Sequence, residues 1–517
     1  MDADRLERHD VMVRIALCAM VLLTAILTVT PWPVGGFQDD AIYTILAKSL
    51  ATGHGYRLLN LPGEPNATHY PPGYPLVLAA LWRLWPSFPD NIVLFKFANT
   101  AFLSSAALGA YAFTRRRLAW SVPEAAVLGA AGTMSIVVLL ITGVVLSEPL
   151  FMAMLFPVLL LAESAVDSPT PARTLGAGVA IGALALVRTI GVAVLPAAFL
   201  ILLWRRRLRD AVRMLLGALL LLLPWQWWVT VHASEVPPVL SGKFGAYLPW
   251  LIAGFRDGGI PFFREVVASN MGSLGAMFGF AFMPVVTEWP RTIAIALVVA
   301  FAVTGIVMLV RSAPVTSLFL LTYLSIAIGW PFEPARFLLA VWPLILLVIA
   351  LPVRRIWRWH PTETQWRAVR VACLTGAAGL MIGFGTYNAR GFRAQWWASV
   401  QRNAGERAKP IVEWAARNTQ PGDVLATEDD LIIYLYSGRQ AIPTSTFLAR
   451  ERVRPLTDEE DVAAVRAILA SFRPRFFVTA SKQGIRTATF LTKTDPPELR
   501  PHQSMANALV FERVMPR

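Results

Sequence analysis

The sequence predicts an all-α polytopic membrane domain followed by a small α/β domain. The chain of 517 residues is 56% hydrophobic and only 15% charged, and its mean hydropathy is +0.53. Apolar stretches long enough to cross a bilayer recur up to about residue 386, and the composition then becomes that of a soluble protein. We therefore predict a transmembrane domain at 1–387 and a second domain at 388–517.

The apolar stretches correspond to about 11 membrane spans, if about 20 residues are needed for one crossing. Residues 173–204 are either two short crossings or one kinked hairpin. The predicted spans lie at 12–32, 90–113, 120–141, 147–165, 173–187, 190–204, 213–231, 291–310, 313–330, 337–353 and 369–386.

The basic clusters give these spans an orientation. Arginines at 115–117, 205–213, 311 and 354–370 all fall on one side if every span crosses the membrane. Because positive charge collects in cytoplasmic loops, we expect a cytoplasmic amino terminus and an external C-terminal domain. We expect the membrane to be a bacterial inner membrane, with this domain in the periplasm or outside the cell. The first span lacks a cleavage site near its end and is expected to be retained. The same rule accounts for the net charge of +14, so we expect no nucleic-acid partner.

Two long external loops join the spans. The first occupies 33–89 and contains an acidic pair, a glycine turn and a proline-rich knot. A loop this long is rarely a mere connector, and we expect it to carry the active site. The second occupies 232–290 and contains proline, glycine and scattered charge.

The segment 388–517 has the pattern of an α/β domain. VLATE and RFFVTA are expected to form short buried strands, and AKPIVEWAARN and EEDVAAVRAILASF amphipathic helices. Strands that alternate with helices are typical of a small α/β domain.

Three acids are candidates for chemistry. Asp39 and Asp40 open a helical run in the first loop, where one acid is enough to cap the helix. The second acid is then available to take a proton from an acceptor hydroxyl, or to bind a divalent cation, Mg²⁺ or Mn²⁺. Glu148 lies at the outer end of a span, where an ionisable group is costly unless it is used or solvated. Its alternative role is that of a first-turn carboxylate stabilised by the helix dipole.

Three cations lie near the same face. Lys96 is inside the second span, Arg188 is at the turn between two short spans, and Arg336 begins the tenth. Each either binds a phosphate at the membrane surface or extends to the interface without a ligand. Three on one face favour a site for an anionic lipid phosphate. His69 and Tyr70 precede the prolines of the knot and are candidate substrate contacts, although a lone histidine is more often a structural donor.

Several motifs together resemble the GT-C membrane glycosyltransferases, in particular the group of protein O-mannosyltransferases and lipid A aminoarabinose transferases. They are FQDDAIYTILAKSL, HYPPGYPLVLAAL, LSEPLF, LVRTIG and EPARFLLAVWPL. The resemblance covers residues 1 to about 386, and the tail is similar to the periplasmic domain of bacterial relatives. The family pattern usually has Asp-Glu where this chain has Asp-Asp.

The resemblance implies transfer of a sugar from a polyprenyl-phosphate carrier to a glycan, glycolipid or protein acceptor on the outer face. Asp39 or Asp40 would act as the general base or position the acceptor, and Glu148 would be a second functional acid. Arg188 and Arg336 would meet the lipid phosphate. Direct displacement with inversion needs no nucleophilic carboxylate.

Two other readings of the chain remain open. A transporter or flippase of lipid-linked glycans would place its charged groups at the bilayer midplane on broken helices. The acids here cluster in external loops and at span ends, which favours surface chemistry. A membrane protein without catalysis, whose external domain binds a partner, is the third reading.

Overall fold

A computed structural model describes residues 2–285, 287–505 and 507–514. In the first part of the chain the helices are α1 (Asp2–Ile26), α2 (Asp39–Ala51), α3 (Gly73–Leu84), α4 (Ile92–Leu118), α5 (Val122–Thr133), α6 (Ile136–Thr142), α7 (Glu148–Asp167), α8 (Pro171–Val187), α9 (Val194–Trp204) and α10 (Leu208–His232). Further along are α11 (Ser241–Phe244), α12 (Tyr247–Phe282), α13 (Glu288–Ser312), α14 (Pro314–Gly329), α15 (Ala335–Leu339), α16 (Trp342–Arg358) and α17 (Thr364–Arg393). Short 3₁₀ turns lie at Thr189–Ala193, Pro238–Leu240 and Ala449–Arg452.

The membrane-spanning helices are of unequal length. Six described helices are long and apolar enough to cross a bilayer: α1, α4, α7, α10, α13 and α17. The pair α5 and α6, bent by 55°, makes a seventh if it counts as one span. Shorter apolar helices cover the two parts of 173–204 and the stretch of α14. Each predicted span therefore contains a helix, and the chain is a multi-pass membrane protein.

The helices pack closely through small residues. A Cβ atom at Gly178 of α8 would lie 2.0 Å from the carbonyl oxygen of Met214 in α10. Gly217 of α10 meets α8 in the same way, because its Cβ would lie 2.3 Å from the carbonyl oxygen of Leu175. Small residues that allow two backbones to approach are characteristic of helix pairs in membranes.

Helical structure continues further than the sequence pattern predicted. The expected loop at 232–290 consists largely of α12, which is kinked at Gly259. Its side chains meet the end of α14, since the Asn270 amide donates to the carbonyl oxygens of Ile328 and Trp330. The predicted boundary at 387 falls inside α17.

The C-terminal segment forms the predicted α/β domain. It contains α18 (Trp396–Asn418), β1 (Leu425–Thr427), α19 (Asp430–Ser437), β2 (Ala441–Ile442), α20 (Asp458–Phe472), β3 (Phe476–Thr479), α21 (Lys482–Thr492), β4 (Leu499–Ser504) and β5 (Leu509–Arg513). The sheet order is β2-β1-β3-β5-β4, with β1 parallel to β2 and β3, and β5 antiparallel to β3 and β4. The Thr457 hydroxyl and the Glu460 carboxylate form a capping box that begins α20.

The first loop docks against this domain. The Ala441 amide of β2 donates to the carbonyl oxygen of Asn60 at 3.0 Å. The Gln440 side chain donates to the carbonyl oxygens of Leu59 and Leu61. From the 232–290 region, Lys243 pairs with Asp430 at 2.6 Å. Both regions that were predicted as loops therefore contact the C-terminal domain at one end of the helical bundle, where α2 and α7 begin and α8 ends.

Candidate active site

Four charged side chains that are distant in sequence meet at this face. Asp39 begins α2, Glu148 begins α7, Arg188 ends α8, and Arg336 lies in the short helix α15. Both acids occupy the first turn of their helices, where the exposed backbone amides favour negative charge.

The Arg336 guanidinium joins the two acids. Its Nε donates to Glu148 Oε1 at 2.6 Å, and its Nη1 donates to Asp39 Oδ2 at 2.5 Å. Arg188 Nη1 lies 2.8 Å from the same Glu148 oxygen and donates to Ser147 Oγ at 3.0 Å. Glu148 is fully buried, whereas about a quarter of each of the Asp39 and Arg336 side chains is exposed. The cluster is therefore accessible to a ligand on the side of Asp39 and Arg336.

Three polar atoms of the cluster are buried without a hydrogen-bond partner among the described residues. They are Glu148 Oε2, Arg188 Nε and Arg336 Nη2. Buried polar groups are nearly always paired, because each unpaired group costs about 1–3 kcal/mol. Two guanidinium N–H groups are thus available to an anionic ligand, and Arg favours phosphate because its fork matches the phosphate oxygens.

Asp39 and Asp40 have different environments. Tyr70 donates its hydroxyl hydrogen to Asp39 Oδ1 at 2.7 Å, while Arg336 takes the other oxygen. Burial raises the pKa of Asp39, but Arg336 and the Tyr70 hydroxyl more than offset it, and the pKa lies below its usual value. Asp39 is therefore ionised and lies beside the cationic groups.

Asp40 instead holds the loop that precedes it. Its carboxylate accepts the backbone N–H groups of Gly35 at 2.8 Å, Phe37 at 3.3 Å and Ala41 at 3.0 Å. Burial raises the pKa of Asp40 to about 6, against the lowering effect of these three amides. The structure thus separates the two acids, with Asp40 bonded to backbone and Asp39 in the charged cluster.

His69 lies next to the site without joining its charges. Its Nδ1 lies 2.6 Å from the Gly245 carbonyl oxygen, which places the proton on Nδ1, and its ring packs against Tyr70 and Tyr247. Burial lowers the pKa of His69 to about 4. A neutral ring that donates to the backbone positions the 245–247 segment and Tyr70.

The structure does not bring Lys96 into the cluster. Its Nζ is fully buried and donates to the carbonyl oxygens of Thr30 at 2.8 Å and Trp32 at 2.9 Å, and to Gln401 Oε1 at 2.9 Å. These partners account for its three N–H donors. Lys96 therefore connects the segment before the first loop to α18. This position differs from the predicted one beside a lipid phosphate.

Two further polar side chains of the site were not among the sequence candidates. The Tyr43 hydroxyl lies 3.1 Å from Ser147 Oγ, which also accepts from Arg188. Tyr43 follows Asp39 by four positions in a helix and therefore shares its face. That spacing was the available signal, whereas Ser147 is marked only by its position before Glu148.

The acids do not fit a divalent cation. Asp40 faces backbone donors, and both Asp39 and Glu148 contact a guanidinium whose charge would repel a metal ion. Among the described ranges no group of three or more His, Cys, Asp or Glu side chains is arranged to bind a metal. We therefore derive no step that passes through a metal.

Comparisons with known proteins define the fold. No protein-family model matches the chain, and no curated protein matches it. Among solved structures, the archaeal oligosaccharyltransferase AglB from Archaeoglobus fulgidus, in complex with an inhibitory peptide and a dolichol-phosphate, aligns with a TM-score of 0.54 and 14% identity, over 90% of this chain and 69% of that one. ArnT from Cupriavidus metallidurans bound to undecaprenyl phosphate aligns over 97% of this chain and 98% of that chain, with 12% identity and a TM-score of 0.49. The alignment with AglB shows the fold of the chain, which is the GT-C fold.

Proposed function

We propose that the chain is a membrane glycosyltransferase that moves a sugar from a polyprenyl-phosphate donor to an acceptor hydroxyl, with inversion at the anomeric carbon. The observation that carries the proposal is the cluster of Asp39, Glu148, Arg188 and Arg336, in which each arginine keeps a buried N–H group that has no partner among the described residues. The lipid-phosphate ligands named for the two solved structures agree with a phosphate at such a site.

The arginines would hold the phosphate of the donor. Arg336 Nη2 and Arg188 Nε have no partner among the described residues, whereas other nitrogens of the two arginines contact Asp39, Glu148 and Ser147. As the bond between the sugar and the phosphate breaks, negative charge grows on the departing phosphate. Fixed cations in a water-poor site stabilise that charge. Glu148, fully buried between the two guanidinium groups, keeps them in place.

Asp39 would accept the proton of the acceptor. The acceptor oxygen forms a bond to the anomeric carbon, the bond from that carbon to the phosphate oxygen breaks, and the acceptor proton passes to the Asp39 carboxylate. Tyr70 orients this carboxylate through the hydrogen bond to Oδ1. When Arg336 binds phosphate, its ion pair with Asp39 weakens, and the Asp39 carboxylate becomes a stronger base.

The transporter alternative finds less support. The charged cluster is built from helix ends and loop residues, whereas transporter sites are typically formed by broken helices at the bilayer midplane. We propose the outer face for this chemistry on the distribution of basic residues, and a glycan, glycolipid or protein as the acceptor.

Titration of the purified protein with undecaprenyl phosphate tests the donor site, with thermal stabilisation as the measurement. Arg336→Ala should weaken binding by roughly 30-fold or more, the equivalent of about 2–3 kcal/mol for a lost charge-assisted contact. Arg336→Lys should weaken it less, because the charge remains while the planar fork is lost.

Arg354→Ala is the matched control. Arg354 also forms a two-point pair with a glutamate, Glu124, but lies outside the cluster. Equal stabilisation of the wild type and of the Arg336→Ala variant would remove Arg336 from the donor site and contradict the proposal.

A further inference from the structure

Two adjoining cavities lie in the C-terminal domain, beside the active-site loop. The first has a volume of about 290 Å³ and the second of about 370 Å³. Glu428 and Ser481 line both, so the two cavities are neighbours, and we call them together the groove. None of the residues of the charged cluster described above lines this groove.

The topology of the sheet explains why a groove opens here. β1 lies between β2 and β3 and is parallel to both. From β1 the chain continues to β2 on one side of the sheet, and from β3 it continues to β4 on the other side. Glu428 directly follows β1, and Ser481 comes two residues after β3. The carboxyl ends of parallel strands at such a switch point are where open α/β sheets bind their ligands.

The lining is acidic although the chain is basic. Six carboxylates and two arginines line the two cavities, while the whole chain carries a net charge of +14. The acids are Glu428, Asp429, Asp430, Glu451, Asp458 and Asp461, and the bases are Arg407 and Arg486. Asp429, Asp430 and Asp458 pair with Arg407, Lys243 and Arg486, so the negative charge that is not paired within the described residues lies on Glu428, Glu451 and Asp461. A groove lined with acceptors and with this charge attracts ligands with amines and hydroxyl groups.

One of these acids has an oxygen without a partner. Asp430 is 1% exposed, and its Oδ1 accepts from Lys243 at 2.6 Å. Its Oδ2 is buried and has no hydrogen-bond partner within the described part of the chain. Because Asp430 lines the first cavity, its carboxylate is placed to accept a hydrogen bond from a ligand there.

The groove shares a wall with the active-site loop. Gly35, Gly36 and Gln38 line the first cavity and directly precede Asp39. Asp40 fixes this backbone through the amides of Gly35 and Phe37. Gly35 has a φ of +120°, and a Cβ atom there would lie 2.2 Å from Ile432, so this close approach requires glycine.

The geometry points to a second substrate site: the groove binds the acceptor, which is a glycan that carries protonated amines. This inference rests on the proposed function, because it names the class of the second substrate. Carboxylates accept hydrogen bonds from sugar hydroxyls and pair with ammonium groups. Across the shared wall, a glycan bound in the groove can extend a hydroxyl toward Asp39.

Binding of a glucosamine hexamer to the purified full chain, in mildly acidic buffer, tests the inference. Glu428→Gln removes the charge that both cavities share and should weaken binding about tenfold or more. Asp429→Asn should act in the same direction, and it keeps the test valid if Glu428→Gln lowers the melting temperature. Glu498→Gln is the control, because Glu498 pairs with Arg466 in the same domain and lines neither cavity.

The results separate this inference from the proposed function. Saturable binding that both groove variants weaken and the control does not would support the inference. If the hexamer does not bind the wild type while undecaprenyl phosphate does, the inference fails and the donor site stands. Binding of spermidine as tight as that of the hexamer would make the groove a simple cation site and overturn the inference. Hexamer binding without undecaprenyl phosphate binding would overturn the proposed function and, with it, the role of the groove as an acceptor site.

Discussion

Arg336 and Asp39 form an ion pair in which Nη1 lies 2.5 Å from Oδ2, although 297 positions separate them in the chain. The contact joins the first loop to the short helix α15, and Glu148 at the start of α7 accepts from the same guanidinium. The pair is partly exposed on one side and fully buried on the other, toward Glu148. A charged ligand that competes for Arg336 therefore changes the state of Asp39.

Asn substitution should separate the roles of the two adjacent acids. Asp39→Asn keeps the size of the side chain but removes the base, and we expect transfer activity to fall by roughly 10²–10⁴-fold while the variant still folds. Asp40→Asn places an amide NH₂ opposite backbone donors, and we expect it to destabilise the fold by about 1–3 kcal/mol.

The measurements are sugar transfer from a synthetic polyprenyl-phosphate donor and the melting temperature of each variant. Full activity of the Asp39→Asn variant would show that Asp39 is not the base. A stable but inactive Asp40→Asn variant would exchange the roles of the two acids.

The sequence predicted the four members of the charged cluster because each stands out against an apolar background. Asp39, Glu148, Arg188 and Arg336 lie at the ends of apolar stretches, where charge is costly without a purpose. Their helices end at one face of the bundle, so the side chains meet. The sequence did not show that Asp39, and not Asp40, would be in the cluster, because that depends on which backbone amides the loop turns toward Asp40.

Other features depend on contacts between distant parts of the chain. Lys96 is two turns from a span end, but its acceptor Gln401 lies 305 positions away and is not visible in local sequence. Residues 232–290 were expected to be a loop because of their proline, glycine and scattered charge, and Gly258, Gly259 and Pro261 are among these residues. The structure places these three residues at a kink between two helical arms, which is where such residues are tolerated.

Lys96→Met should affect stability and leave donor binding intact. The substitution keeps an unbranched side chain but removes the donor to three oxygens, so buried acceptors lose their partner. We expect a loss of about 1–3 kcal/mol in the free energy of unfolding, since buried neutral acceptors are left without a donor. The affinity for undecaprenyl phosphate should stay within about twofold of the wild type at a temperature where the variant is folded. A large loss of affinity in a stable variant would return Lys96 to the phosphate site.

A reporter fusion tests the predicted orientation. The basic clusters predict an external C-terminal domain, so a reporter that fluoresces only in the cytoplasm should be dark when joined after residue 517. The same reporter joined after residue 207, within a basic cluster on the other side, should be bright. A bright fusion at residue 517 would place the first loop and its acids in the cytoplasm, because the loop docks on the C-terminal domain.

The pH dependence of stability should reveal His69 and Asp40 as opposing groups. The pKa of His69 falls from 6.5 to about 4 on folding because the ring is buried, so the unfolded chain binds the proton more strongly. This contribution lowers stability as the pH drops from 6.5 toward 4. The pKa of Asp40 rises from 3.8 to about 6, mainly through burial, so the folded chain binds that proton more strongly. This contribution raises stability as the pH drops from 6 toward 4, and the two oppose each other in the wild type.

Substituting either His69 or Asp40 should reveal the contribution of the other group to the pH dependence of stability. His69→Asn retains a donor for the Gly245 carbonyl oxygen and leaves Asp40 unopposed, so between pH 7 and pH 5 the variant should gain roughly 1 kcal/mol relative to its own value at neutral pH. Asp40→Asn leaves His69 unopposed and should lose roughly 2 kcal/mol over the same interval. Denaturation midpoints of both variants, measured at the two pH values, check the signs. If the Asp40→Asn variant does not lose stability between pH 7 and pH 5, the assignment of His69 as a neutral donor to the backbone is wrong. If the His69→Asn variant does not gain stability over that interval, Asp40 does not have the raised pKa that its burial implies.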